Sequence, residues 1–220
     1  MKIIKIQDSN QDFVVGNIFC VGRNYSEHAK EMHTDIPDQP MIFLKPTSAI
    51  ISNGENIIRP NISNLLHHEV ELVVAIGLSG KNIPCLDAYN HVLGYGVGLD
   101  MTLRDIQNDA KKQGSPWTLA KGFVTSAPLS EIIPSVKISN PHNLIISCKV
   151  NGIQRQKAST GDMIFKIDKL IEYISTLFTL EAGDLIFTGT PVGVGETKPG
   201  DTIEAELIGY TKIFHQIFAA

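Results

Sequence analysis

His67-His68-Glu69-Val70-Glu71-Leu72-Val73-Val74-Ala75-Ile76 is an apolar run interrupted by two carboxylates. Read as a strand it has period two, so Glu69 and Glu71 project from one face while Val70 and Leu72 point to the other. A second apolar run, His91 to Leu99, ends at Asp100. If the two runs are neighbouring strands, three carboxylates converge. Two unit charges about 4 Å apart repel by roughly 4 kcal/mol at an effective dielectric near 20, so such a cluster needs protons or a cation. Oxygen ligands suit a hard divalent ion: magnesium, manganese or calcium. An isolated Glu-x-Glu is more simply the solvated face of an edge strand; the residues around this one decide between the readings.

The chain has 220 residues, 43% of them hydrophobic and 19% charged, the composition of an ordinary globular protein with a sizeable core. That length implies one domain, with a short hairpin segment over residues 1–16 ahead of a main domain over 17–220. A net charge of −4 with no basic run argues against a nucleic-acid partner. Cys20, Cys85 and Cys148 are odd in number and widely spaced, which fits reduced thiols in a cytoplasmic setting better than a disulfide frame or zinc site. Met1 to Gln7 is too poor in apolar residues for a signal peptide, and no stretch is long enough to span a bilayer.

Outward from the two acidic runs, short strands are expected at Ile3–Ile6, Phe13–Val15, Ile18–Gly22 and Met41–Leu44, with a short helix from about Ser26 to Met32 that Asn24 or Ser26 would cap. Pro84 to His91 reads as a short helix and Thr102 to Lys112 as a longer one. Ala120-Lys121-Gly122-Phe123 reads as a loop. Asn151-Gly152 is a two-residue hairpin signal after a Leu144–Val150 strand. Ile167, Leu170, Ile171, Ile174, Leu177 and Phe178 form one helical face. Strands follow near Leu185–Phe187, Thr202–Leu207 and Lys212–Ile217. Strands outnumber helices without the regular alternation of a doubly wound sheet; the fold class is α+β, a β-rich mixed fold with a few covering helices.

His28 and Glu31 are three apart and therefore neighbours on one helix face. Glu31 would steady the imidazole and let His28 act as a general base near neutral pH; alone, such a pair is usually a surface contact. Arg104 and Gln107 share a face just beyond Asp100, within reach of a bound anion or carbonyl. Lys121 sits between Ala120 and Gly122, where small neighbours permit close approach and a cation would stabilise an enolate or carboxylate. His67 and His68 are assigned no ligand role. Thr188 to Gly195 lacks the Gly-Lys-Ser/Thr of a P-loop, and better fits a tight loop lining a small-acid pocket, with the Thr190 hydroxyl and backbone amides as donors.

Taken together, Gly22-Arg23-Asn24-Tyr25, His28 with Glu31, Phe43-Leu44-Lys45-Pro46, His68-Glu69-Val70-Glu71-Leu72, Gly98-Leu99-Asp100-Met101-Thr102, Arg104-Asp105-Ile106-Gln107, Ala120-Lys121, Val150-Asn151-Gly152 and Thr188-Gly189-Thr190-Pro191 resemble the fumarylacetoacetate hydrolase family. Lys111 to Lys121 is particularly similar to the short, single-domain acylpyruvases of that family. The resemblance implies a mixed β-roll and a homodimer. It implies Mg²⁺ or Mn²⁺ on Glu69, Glu71 and Asp100, a water-activating dyad of His28 and Glu31, and substrate contacts from Lys121, Gln107, Arg23, Thr190 and Arg104.

The expected reaction is hydrolysis of the carbon–carbon bond of acylpyruvates (2,4-dioxo acids such as acetylpyruvate or fumarylpyruvate) to pyruvate and a carboxylic acid. Oxaloacetate decarboxylation or tautomerisation passes through the same enolate and is the alternative, followed by hydration or isomerisation of 2-oxo acids from aromatic breakdown. The longer fumarylacetoacetases add an aspartate from an N-terminal region that has no match here, which makes fumarylacetoacetate itself a less expected substrate. A non-catalytic scaffold with the same fold would be expected to lack the dyad or Lys121, and both are present.

Overall fold

The computed structural model describes residues 1–31 and 37–220, without the side chains of Ala29 and Lys30. Its main sheet runs in the order Met41–Lys45, Ile18–Gly22, Leu185–Phe187, Val70–Ile76, Val92–Leu99, Ala127–Leu129 and Ile50–Ser52, with Ile133–Pro134 also paired to Val92–Leu99. A second sheet is ordered Ile153–Ser159, Ile145–Val150, Thr202–Leu207, Thr211–Ala219 and Ile57–Arg59. Leu66–His68 lies between Thr102–Leu103 and Gly195–Thr197 in a small third sheet. The α-helices among the described residues are α1 (Ser26–Glu31), α2 (Arg104–Gln113), α3 (Thr118–Lys121) and α4 (Ile167–Leu177).

Alternation decides which side chains each sheet buries. Val70, Leu72, Val74 and Ile76 face the second sheet and join Val97, Leu99, Ile146, Cys148, Ile203, Leu207, Ile213 and Ile217 in one core. Val73 and Ala75 point to the opposite face, where Phe187, Cys20 and Leu129 pack with Ile4, Ile6, Phe13 and Val15 of the N-terminal segment. That segment is an antiparallel pair, Ile3–Lys5 with Asp12–Val14, and it covers apolar surface that the helices leave open. α4 lays Ile167, Leu170, Ile171 and Ile174 into the first core. Leu177 and Phe178, expected on the same face, are 57% and 39% exposed because the helix ends there.

Local readings mostly hold, with differences at element ends. Thr102 and Leu103 pair with His67 and Leu66 as a strand, so α2 starts at Arg104, whose N–H donates to Leu65 O at 2.8 Å. Residues 85–91 form a 3₁₀ helix. The stretch read as a loop around Ala120 is in fact the single turn α3, closed by the N–H groups of Ala120 and Lys121 on Trp117 O; one turn is too short to show a period. Asn151 and Gly152 both have positive φ, 51° and 76°, the two-residue turn type whose twist suits a hairpin. The expected helix end at Met32 lies outside the described residues.

Candidate active site

The carboxylate cluster follows from strand register. Val70 pairs with Leu99 and Glu71 with Gly98, so Asp100 stands opposite Glu69, and its N–H donates to Glu69 O at 2.8 Å. Glu71, two residues along the strand, shares the face of Glu69. Each of the three offers an oxygen, all within 4.8 Å of one another. They are 5%, 2% and 1% exposed, so the solvated-edge reading does not describe them.

Cations flank two of the three acids. Lys121 Nζ lies 2.8 Å from Glu69 Oε2, 2.6 Å from Asp100 Oδ2 and 2.6 Å from Thr102 Oγ1. Arg104 pairs with Glu69 Oε1 and donates to Gln107 Oε1 at 2.5 Å. Burial opposes ionisation of Glu69, yet Lys121 and Arg104 outweigh it and hold its carboxyl well below the usual range. Lys121 is raised: burial works against its charge, and Asp100 and Glu69 overcome it. Among the described residues Glu71 accepts a hydrogen bond only from the Gly189 N–H, at 2.7 Å. Burial, then Asp100 and Glu69, push its carboxyl well above the usual range.

This donor set fits a hard divalent cation. Among the described residues no cationic side chain is paired with Glu71, whose ionised form a cation at the cluster would favour. Lys45 Nζ stands 2.8 Å from Asp100 Oδ1 as an ion pair, but off the hydrogen-bonding direction, so that buried oxygen accepts no hydrogen bond from the described residues. Oxygen-only donors match magnesium or manganese better than a soft metal.

Opposite the acids, His28 Nδ1 is 3.2 Å from Glu31 Oε2. The carboxylate of Glu31 is itself held by the Gly193 N–H, 3.1 and 3.2 Å from its two oxygens. With Nδ1–H donated to Glu31, Nε2 is the imidazole nitrogen left for chemistry. Thr190 belongs to the same loop and is buried. Arg23 sits at φ 59°, in the left-handed region, a strain that persists only where surrounding contacts impose it. Next to it, buried Asn24 donates to Thr188 O and Phe165 O at 2.7 and 3.0 Å, binding the Arg23 turn to the Thr188 loop rather than capping α1.

Glu69, Glu71, Asp100, His28, Lys121, Arg23, Arg104, Gln107 and Thr190 thus line one cleft, with Glu31 behind His28. Three residues beyond those singled out from the sequence take part. Lys45 is enclosed by Met101 O, Lys121 O and Ser126 O besides Asp100. Gln156 is saturated: its Oε1 accepts from Val70 N and faces His68 Nδ1, both at 3.0 Å, while Nε2 donates to Thr190 Oγ1 and Pro191 O, both at 2.8 Å. It ties the backbone between the two glutamates to the substrate-side loop. Lys111 lines the cleft from α2. Its spacing from Arg104 and Gln107, seven and four residues, was the available signal. His67 accepts from Arg104 Nε at 3.4 Å, and burial lowers its pKa to about 4. No helix among the described residues is long and apolar enough to cross a membrane.

Residues 17–217 match the family model for the fumarylacetoacetate (FAA) hydrolase C-terminal domain. Among curated proteins, rat oxaloacetate tautomerase FAHD1, mitochondrial, is 49% identical over 88% of this chain and 87% of its own length. The human protein of the same name is 46% identical over 91% of each chain. Among solved structures, fumarylpyruvate hydrolase from Pseudomonas aeruginosa, in complex with Mn²⁺ and pyruvate, superposes with a TM-score of 0.96 at 36% identity, covering 100% of this chain and 96% of that one.

Proposed function

The chain belongs to the fumarylacetoacetate hydrolase family, and on that footing we propose that it interconverts the keto and enol forms of oxaloacetate, using a divalent cation, with hydrolysis of acylpyruvates as a second activity of the same site. The supporting observation is a histidine held by a carboxylate, facing a buried three-carboxylate cluster and a lysine across one small cleft. Oxaloacetate stands first because relatives near half identity along almost the whole chain carry that activity in their names. The hydrolytic reading is supported by the fumarylpyruvate hydrolase likeness.

Glu69, Glu71 and Asp100 would hold Mg²⁺ or Mn²⁺, which as a Lewis acid polarises a substrate carbonyl. The chain's own residues do the rest. Glu31 fixes the His28 tautomer, and Nε2 takes a proton from C3 of keto-oxaloacetate. The C–H electron pair becomes the C2–C3 double bond, and a proton added at the C2 oxygen completes the enol. Lys121 places positive charge beside the oxygen that becomes negative, while Arg104 and Gln107 fix one wall. In the second reading Nε2 accepts a proton from water as the water oxygen attacks C4 of the acylpyruvate. The C3–C4 bond breaks, and protonation at C3 gives pyruvate. The free thiols of Cys20, Cys85 and Cys148 support a reducing compartment, cytosol or mitochondrial interior. Homodimerisation, also implied by the family, is part of the proposal.

The deciding experiment follows the enol absorbance of oxaloacetate, the loss of acetylpyruvate and fumarylpyruvate, and pyruvate release, each with Mg²⁺, Mn²⁺ or chelator. Metal-dependent enol–keto conversion faster than buffer, without matching pyruvate release, supports tautomerisation. No acceleration of any substrate with either ion overturns the enzymatic reading.

A further inference from the structure

We propose that Lys111 receives a second carboxylate on the substrate and so makes the cleft selective for dianionic 2-oxo acids over monoanionic ones. This rests on the reading above that a 2-oxo acid binds at the carboxylate cluster.

α2 turns a polar stripe toward the cleft. Arg104, Gln107 and Lys111, at i, i+3 and i+7, lie on one face, and all three line the site. A rise of 1.5 Å per residue sets Lys111 about 10 Å along the helix from Arg104, away from the acids and toward where the far end of an extended acid would lie. Lys112 shows what an uncommitted lysine does here: it is exposed and reaches Asp109 one turn back, at 3.5 Å. Lys111 instead turns inward, half-buried, its Nζ 5.2 Å from the centre of the Trp117 ring. The chain arranges that contact. Gly114, at φ 65°, ends α2 in the left-handed conformation, the N–H of Ser115 returns to Ala110 O, and the reversal brings Trp117 back over the helix. Phe43 supports Trp117 edge-on, with centroids 5.9 Å apart.

The distribution of charge gives this placement its meaning. Among the described residues Lys121 and Arg104 are paired with Glu69, and Lys121 and Lys45 with Asp100. Lys111 and Arg23 line the same cleft, and no carboxylate among the described residues is paired with either. An aromatic face attracts a cation without neutralising it. Burial first, and then Arg104 and Arg23, lower Lys111 to about 8; the surroundings of its ammonium are positive, and an incoming anion relieves them. One substrate carboxylate would sit at the metal cluster. Oxaloacetate and fumarylpyruvate bring a second, and acetylpyruvate does not.

The test compares wild type with Lys111→Met and Lys111→Arg on fumarylpyruvate and acetylpyruvate, reading the ratio of the two kcat/KM values. Loss of a charge-assisted contact lowers that ratio about tenfold to a hundredfold in Lys111→Met, and Lys111→Arg keeps most of it. A ratio unchanged in Lys111→Met, whether both activities persist or fall together, overturns the proposal. Calorimetric binding of oxaloacetate and of pyruvate to the Mn²⁺-loaded proteins separates this from the reaction itself. If wild type turns over neither acylpyruvate, a selective loss of oxaloacetate affinity in Lys111→Met still supports the site while the hydrolytic reading fails, and equal affinities in wild type and variant reject it.

Discussion

Glu31 accepts from the backbone N–H of Gly193 while facing His28 Nδ1, so the dyad is anchored from outside its own helix. A free helical His–Glu pair is worth a few tenths of a kcal/mol and flickers open; one whose carboxylate is fixed by a loop keeps the imidazole in a single tautomer. Among the described residues no hydrogen bond joins His28 to the carboxylate cluster, and it acts on Glu69 only through charge. His28→Ala is therefore expected to lower turnover of the active substrate by about 10² to 10⁴, while the Mn²⁺ dissociation constant measured by calorimetry stays within about threefold. Turnover that survives the substitution removes His28 from the reaction, and a collapse of Mn²⁺ affinity makes it part of the metal site instead.

Strand pairing, more than any single side chain, sets the metal cluster. Gly98 lies opposite Glu71 in register, and a Cβ built there would come within 2.6 Å of Phe187 Cε1 and 2.9 Å of Val73 Cγ2. Neither neighbour is a loose chain end: both belong to the outer core. Gly98→Ala is expected to cost about 1–3 kcal/mol, the usual effect of overpacking, and to weaken Mn²⁺ binding by tilting the strand that carries Asp100. Urea unfolding and a Mn²⁺ titration measure the two effects, and a variant as stable as wild type would mean that Phe187 moves aside freely. Much of this element was legible beforehand. The alternation from Val70 to Ile76 put both glutamates on one face, and the run ending at Asp100 supplied the partner strand. The ordered motifs then brought His28, Lys121 and Thr190 to the same place. What stayed hidden depends on contacts far along the chain. Lys45 reaches Asp100 across 55 residues of sequence, and Gln156 reaches Val70 across 86; no local period reports such pairings. The α3 turn escaped because four residues make one turn and leave no repeat to read.

At the scale of the whole molecule, two apolar layers lie on either side of the main sheet, and the second sheet closes the larger one. His215 sits inside that closure, on the Thr211–Ala219 strand opposite Ile203, and is 1% exposed. Its Nδ1–H donates to Glu55 O at 2.7 Å, leaving Nε2 buried without a hydrogen-bond partner among the described residues. Burial, against the smaller opposing effect of the Glu55 bond, lowers its pKa from the ordinary 6.5. His142 is lowered too, chiefly by burial. Between the lowered folded value and 6.5 the unfolded chain binds more protons than the folded one, so stability rises with pH across that window. It is fully present above pH 6.5 and is lost as the pH falls below it. The urea midpoint is accordingly expected to decline from pH 7 to pH 5, and His215→Gln, which keeps a donor for Glu55 O but cannot titrate, to decline less steeply. Equal slopes in the two proteins would assign the decline to other groups. Because His215 belongs to the second sheet and the candidate catalytic residues to the cleft, the substitution separates two causes of acid inactivation. A loss of turnover that persists in His215→Gln while the fold is intact belongs to the site.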